Sequence, residues 1–412
     1  MEENDYVHVA EQIDGYRDEV VRLETELTAI PALSPENGGD GEVAKAEYVK
    51  KLLTSLPVDE LLEFNAPDSR VPCGYRPNIV VKVKGAQRGR AVWVLSHLDV
   101  VPPGELGLWH SDPYRVRVDG DLLYGRGVED NQQGLVASLL ALRALYERGL
   151  RPAHDVGLVM VADEETGSQY GLQYLLRNHK ELFRPEDFII VPDSGNADGS
   201  MVEVAEKSIL WIGFKILGKQ CHGSRPALGI NAHKAGAHLI VKLGGLYEAF
   251  PHSDPVFAPP TSTFEPTKKE ANVPNINTIP GEDVFYFDCR VLPTYKVDDV
   301  VAWIQSAVRE IEAQFGVKVE LFYPQREDAA PPTPVGAPVA QALTKALAET
   351  RGVKAVPMGI GGGTVAAHFR RAGLPAVVWE TIDQTAHQPN EYCRISNVLA
   401  DAKVFAHIFM QA

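Results

Sequence analysis

His97, Asp130, Glu165, Asp193 and His387 have the chemistry of metal ligands, and several stand where a short apolar run ends. His97 lies in Ser96-His97-Leu98-Asp99, directly after Ala91-Val92-Trp93-Val94-Leu95. Glu165 lies in Asp163-Glu164-Glu165-Thr166-Gly167, after the almost wholly apolar run 156–162, and Asp193 follows Ile189-Ile190-Val191-Pro192. Ligands of open α/β sheets gather at the carboxyl ends of strands, so acids and imidazoles in those positions point to a two-metal hydrolase. His97 and Asp99 stand two apart and project to the same side of an extended backbone, where the Asp can accept the second ring N–H of the His and fix its tautomer. Adjacent Glu164 and Glu165 diverge, so one can bind metal while the other faces a water as base. Burying two neighbouring acids is unfavourable without a cation.

Each residue alone also has an ordinary reading. His97 can be a surface imidazole beside a turn Asp, and Asp130, in Tyr124-Gly125-Arg126-Gly127-Val128-Glu129-Asp130-Asn131 just before a helix, can be an N-cap. Glu164-Glu165 can be a solvated acidic loop, Asp193 a turn former, and His387, in Thr385-Ala386-His387-Gln388-Pro389, a loop residue. The run Gly361-Gly362-Gly363-Thr364 is by itself a turn signal, and it lacks the Gly-Lys-Ser/Thr ending of a phosphate loop.

The elements that must carry these residues follow from periodicity. Residues 8–29 and 41–56 space apolar side chains as helices do, and 78–83 reads as a strand. A helix over 134–146, a buried strand over 156–162, a helix over 170–178 and a strand over 188–191 continue the rhythm, which predicts a doubly wound, mostly parallel α/β sheet. The character then changes: 208–217 and 284–291 alternate as half-buried antiparallel strands do, with helices over 232–250 and 298–315 and a strand over 317–322. Ala329-Ala330-Pro331-Pro332-Thr333-Pro334 reads as a linker, followed by a helix near 337–350 and a strand over 376–379. The expected organisation is one α/β catalytic domain, 1–207 and 329–412, interrupted by a smaller α+β domain, 208–328. No internal repeat or low-complexity segment is present.

A chain of 412 residues predicts two domains, and no run reaches the roughly 18 apolar residues of a membrane span. The net charge of −15 argues against nucleic acid or an anionic membrane as partner and is otherwise a solubility feature. Cys73, Cys221, Cys289 and Cys393 have no paired spacing, so reduced thiols are expected rather than disulfides or a thiolate metal site. The acidic start, Met1-Glu2-Glu3-Asn4-Asp5, is unlike a secretory signal, and a cytoplasmic location is the expectation.

Taken in order and context, His97, Asp130, Glu164-Glu165, Asp193, Cys221-His222-Gly223-Ser224-Arg225-Pro226 and His387 resemble the dinuclear zinc metallopeptidase family. That family includes acetylornithine deacetylase, succinyl-diaminopimelate desuccinylase, aminoacylase, bacterial glutamate carboxypeptidase and carnosine dipeptidase. The resemblance covers nearly the whole chain and is strongest in Ser96-His97-Leu98-Asp99, in the 109–134 stretch with Asp112-Pro113-Tyr114 and Gly125-Arg126-Gly127, and over 163–168. It implies that His97 and Asp193 hold one divalent ion and Glu165 and His387 another, with Asp130 bridging them and a cis peptide between Asp130 and Asn131. The donor set suits Zn²⁺, with Co²⁺ or Mn²⁺ as substitutes, at a spacing of about 3.5–4 Å as in comparable two-metal sites. Glu164 matches the general base and Asp99 the residue that orients the metal-binding His.

The interrupting segment resembles the family's lid and dimerisation domain, which implies a homodimer in which His222 reaches the partner's site and supports the oxyanion. Asn277, Arg290 and the Gly362-Gly363-Thr364 stretch match positions that face a small amino-acid-like carboxylate substrate, with Arg290 as a bidentate clamp. The implied reaction is amide hydrolysis, in which Glu164 takes a proton from the attacking water and returns it to the leaving amine. One departure bears on substrate: deacylases and the glutamate carboxypeptidase tend to carry Glu where this chain has Asp193, whereas dipeptidases and aminopeptidases tend to carry Asp. The overall pattern lies nearer the acetylornithine deacetylase and desuccinylase group, so hydrolysis of an N-acyl amino acid is the expectation and a dipeptidase the alternative. A non-catalytic binding or scaffold protein is the remote alternative, disfavoured because no ligand or base is missing.

Overall fold

The apolar runs read from the sequence become the middle of an eight-stranded sheet in the computed structural model, which describes residues 3–56 and 58–411. Asp155–Val161, Ala91–His97, Phe188–Asn196 and Ala376–Thr381 are neighbours in that order and run parallel. Every residue of Ala91–His97 and of Ala376–Thr381 is buried, as strands covered on both faces must be. Val378 packs with Trp93, Phe183 and Phe369 on one face, whereas Trp379 turns to the other and meets Phe405 of the helix Ile395–Met410. That helix packs on Gln133–Glu147, so helices cover both faces and the sheet is doubly wound. Antiparallel strands Tyr75–Val83 and Glu60–Pro67 extend one flank, and Met201–Glu206 and Val356–Ile360 the other.

Two compact units divide the chain: one runs through Val204 and takes up Thr333–Pro357 and the stretch from Thr364 onward, and the other comprises Ala205–Pro332 and Met358–Gly363. The last segment differs from the sequence-based division, which left it with the catalytic part. Backbone bonding explains the difference, because Gly359 N–H donates to Val256 O and Lys207 N–H to Ile360 O.

Within the second unit, Thr263–Lys269, Glu282–Val291, Ser208–Leu217 and Lys318–Glu327 form an antiparallel sheet in that order. Leu210, Ile212, Phe214 and Ile216 alternate inward and pack with Phe285, Phe287 and the apolar stripes of Ala232–Leu243 and Val297–Phe315. A short ladder pairs Cys221–His222 with Thr278–Ile279.

Glycine accounts for two differences from the periodicity. The pattern over 8–29 resolves into Glu3–Asp14 and Arg17–Thr28, broken where Gly15 N–H closes a turn on Gln12 O. The pattern over 232–250 likewise breaks at Gly244-Gly245 into Ala232–Leu243 and Leu246–Ala249, since glycine loses more entropy in a helix than other residues. No helix among the described residues is long and apolar enough to cross a membrane, and all four cysteines are free.

Candidate functional site

The four parallel strands end side by side, and each leads to a residue of the candidate set. His97 is the last residue of its strand. Beyond Asp155–Val161, Asp163 adopts a left-handed φ of 63°, which an Asp tolerates, and turns the chain so that Glu164 and Glu165 follow in a short helical turn. Asp193 lies within Phe188–Asn196, and His387, with φ 62°, lies in the loop after Ala376–Thr381. Asp130 arrives from elsewhere, in an irregular turn that starts at Gly127 (φ 90°) and leads into Gln133–Glu147; its peptide to Asn131 is cis.

Asp130 sits at the centre. Its Oδ1 is 2.9 Å from His97 Nε2, and its Oδ2 is 3.0 Å from His387 Nε2. Each imidazole nitrogen has a carboxylate of its own as well: Asp193 Oδ1 at 3.5 Å from His97 Nε2, and Glu165 Oε2 at 3.2 Å from His387 Nε2. Two imidazole–carboxylate groups thus flank one shared carboxylate, and ligand atoms of His97, Asp130 and Glu165 lie within 4.8 Å of one another. These residues fit divalent cations. Glu165 Oε1 is buried without a hydrogen-bond partner, an acceptor that a cation would satisfy.

The electrostatics point the same way. Removal from water, with the Asp193 charge beside it, pushes the Glu164 carboxyl well above its usual range, and removal from water with Asp130 nearby pushes Glu165 up. Burial acts on Asp130 too, but hydrogen bonds from His387 and His97 outweigh it and hold that carboxyl below the usual range. The same acids push the His387 imidazole up, through its hydrogen bonds to Asp130 and Glu165: the cluster gathers positive charge, which a metal supplies more strongly.

His97 Nδ1 lies 2.9 Å from the Asp99 carbonyl oxygen and 3.6 Å from its carboxylate. A carbonyl can only accept, so Nδ1 carries a proton, which leaves Nε2, facing Asp130 and Asp193, as the nitrogen that would ligate a cation after losing its own proton. The nearer acceptor for the ring N–H is thus the Asp99 carbonyl, with the expected carboxylate farther off. That carboxylate is occupied: Glu164 N–H and Glu165 N–H donate to its two oxygens at 3.1 and 3.0 Å, so Asp99 also sets the turn that carries both glutamates. The Glu164 carboxylate has no hydrogen bond or ion pair among the described residues.

Asn131 was visible in the sequence only as the second half of the cis pair. Its Oδ1 accepts His97 N–H at 3.0 Å and its amide donates to Pro192 O, joining the strand ends that carry His97 and Asp193. The available signal was a polar run, Glu129-Asp130-Asn131-Gln132-Gln133, opening an apolar helix.

The second unit holds His222, Asn277, Arg290 and Gly361–Gly363, while Thr364 opens the next stretch of the first. His222 is exposed, and its Nδ1 accepts Ser224 N–H at 3.1 Å, so a neutral ring carries its proton on Nε2. Asn277, also exposed, lies beside it, its carbonyl accepting Gly223 N–H at 2.6 Å. Arg290 differs from the expected bidentate clamp. Its Nε and Nη2 donate to the Asp288 carboxylate at 2.7 and 3.0 Å, and its Nη1 donates to Gly361 O at 2.8 Å, because Asp288 lies two residues away on the same face of the strand.

A family model described as peptidase family M20/M25/M40 matches residues 93–411. The chain is 41% identical over 405 residues to an uncharacterised metallohydrolase of Methanocaldococcus jannaschii, covering 95% of this chain and 98% of that protein. It is 24% identical over 381 residues to a succinyl-diaminopimelate desuccinylase of Wolbachia pipientis, covering 92% and 89% of the two chains. Among solved structures, human carnosine dipeptidase 1 matches with a TM-score of 0.73 at 17% identity, covering 98% of each chain, a likeness of fold.

Proposed function

The chain belongs to peptidase family M20/M25/M40 and is a metal-dependent hydrolase; from that premise we propose that it binds two divalent ions and hydrolyses the amide bond of a small N-acyl amino acid. The observation that carries the two-ion reading is the division of Asp130: one oxygen faces His97 with Asp193, the other His387 with Glu165. His97, Asp193 and Asp130 would hold one ion, and His387, Glu165 and Asp130 the other, with Zn²⁺ suited to this donor set. When bound, such ions lower the pKa of a water and polarise a carbonyl.

The chain's own groups perform the rest. Glu164, adjacent to the ligands and with a carboxylate that makes no hydrogen bond among the described residues, takes the proton of the attacking water and returns it to the leaving amine nitrogen. Asp99 holds Glu164 and Glu165 through their amide hydrogens. His222, with its proton on Nε2, is the proposed donor to the oxyanion and is supplied by a second copy of the chain. Because Asp288 already compensates Arg290, the substrate carboxylate is not assigned a bidentate arginine partner. The desuccinylase relative favours an N-acyl amino acid, and Asp193 favours a dipeptide.

Assaying the Zn²⁺-loaded protein against N-acetyl and N-succinyl amino acids and dipeptides separates these readings. Turnover of an N-acyl substrate that stops in chelator is expected. Turnover of dipeptides alone would establish the second reading, and inactivity on the whole panel would count against both.

A further inference from the structure

Two buried glutamates outside the ligand set are exchanged between the turn that carries Asp130 and the loop that carries His387. Glu129 precedes Asp130 and is 2% exposed. Its Oε1 accepts Asp383 N–H at 2.7 Å, and its Oε2 accepts the N–H groups of Thr385 and Ala386, the latter at 2.8 Å. These amides belong to the irregular segment leading into His387, in which Gln384, His387 and Asn390 all have positive φ. Such a loop has no ladder of its own to hold it, and buried amides must find acceptors, which Glu129 provides.

Glu391, on the far side of His387 and fully buried, returns the arrangement. Its carboxylate accepts Gly127 N–H at 3.1 Å, Glu129 N–H at 3.0 Å and Asp130 N–H at 3.1 Å, and pairs with Arg126 Nη1 at 2.6 Å. The small sheet beside it, in which Tyr392–Arg394 pairs with Leu122–Tyr124, brings these distant segments together.

We propose that Glu129 and Glu391 are positioning residues, a reciprocal carboxylate pair that sets the spacing of Asp130 and His387 and thereby chiefly the affinity of the metal site that His387 completes. The proposal rests on the ligand reading above. Its distinguishing consequence is asymmetry: Asp130 is shared, but the His97 and Asp193 strand ends are also tied separately, by Asn131, so loss of the glutamate pair acts more strongly on the His387 site than on the His97 site.

Co²⁺ titration of the metal-free protein, followed by calorimetry and by the visible absorption of the bound ion, tests this. The wild type is expected to bind two ions and His387→Ala one. In Glu129→Gln and Glu391→Gln, one dissociation constant should rise about 10- to 100-fold, as for other groups that orient metal ligands, with the other rising much less and the spectrum of the weaker site altered. Excess Co²⁺ should then restore turnover. Thr385→Val, at a part-buried position, removes a hydroxyl that lies 2.9 Å from Glu129 and also bonds the Tyr392 backbone next to Glu391, and should give a smaller shift of the same site, so it decides the matter if the glutamine variants do not fold. Wild-type affinity at both sites, or equal weakening of both, would overturn the positioning role. A wild type that binds no Co²⁺, or a His387→Ala protein that retains two ions, would instead overturn the ligand reading.

Discussion

The candidate residues of the two units are held in opposite ways. In the first, Asp130, Glu165 and Asp193 have side chains 18%, 6% and 11% exposed, His387 at 55% is the exception, and neighbouring backbone is fixed by Asp99, Asn131, Glu129 and Glu391. In the second, His222 and Asn277 lie exposed on turns joined by a two-residue ladder, and Arg290 is committed to Asp288. A metal centre needs its ligands placed before the ion arrives, because misplaced charges cannot be corrected cheaply in a low-dielectric interior. Groups proposed to meet substrate sit instead on simple surface turns.

Substitutions can break or sharpen that contrast. The largest effect is expected from Glu164→Gln, with turnover falling about 10² to 10⁴-fold, the contribution of a positioned general base, while elemental analysis still finds both metals. Glu165→Gln should instead weaken one metal site, and the reverse outcome would exchange their roles. Beneath the same turn, Arg76 and Glu42 form a fully buried ion pair, with Arg76 Nε 2.6 Å from Glu42 Oε2. Arg76→Leu strands that carboxylate and should cost roughly 3–5 kcal/mol in denaturant unfolding, as removal of one partner of a buried pair does. A loss under 1 kcal/mol would show that the first unit does not depend on its buried charges.

In the second unit, His222→Ala should lower turnover about 10² to 10³-fold with metal content intact, the loss expected for one oxyanion donor. Mixing His222→Ala chains with Glu164→Gln chains should restore activity if the site is shared between copies; verified mixed dimers that stay inactive would exclude the shared site. The smallest effect belongs to Lys215→Ala, which removes an exposed ion pair with Glu282 and should leave the melting temperature unchanged.

The legibility of the chain divides along physical lines. The central strands were readable because burial on both faces demands continuous apolar runs. The edge strand Glu60–Pro67 was not, since its half-exposed sequence mixes Glu60, Glu63 and Asn65 with Leu61, Leu62 and Phe64, has no continuous apolar run, and only pairing with Tyr75–Val83 makes it a strand. The helix Ile395–Met410 was missed although strongly apolar, because a helix buried nearly all round has no polar stripe to reveal its period.

For the candidate site, the sequence by itself determined residue types and their order: acids and imidazoles after apolar runs, in a pattern that identified the family. Spacing also placed Asp99 beside His97. It could not say that the Asp99 carbonyl rather than its carboxylate meets the ring, because that depends on the Glu164–Glu165 turn folding back onto the carboxylate. Nor could it distinguish Glu129 and Glu391 from solvated acids, or show that Asp288 already holds Arg290. Those assignments are decided by which distant backbone amides and neighbouring charges the tertiary fold brings within hydrogen-bond reach, contacts between segments as far apart as residues 127 and 391, for which local spacing carries no information.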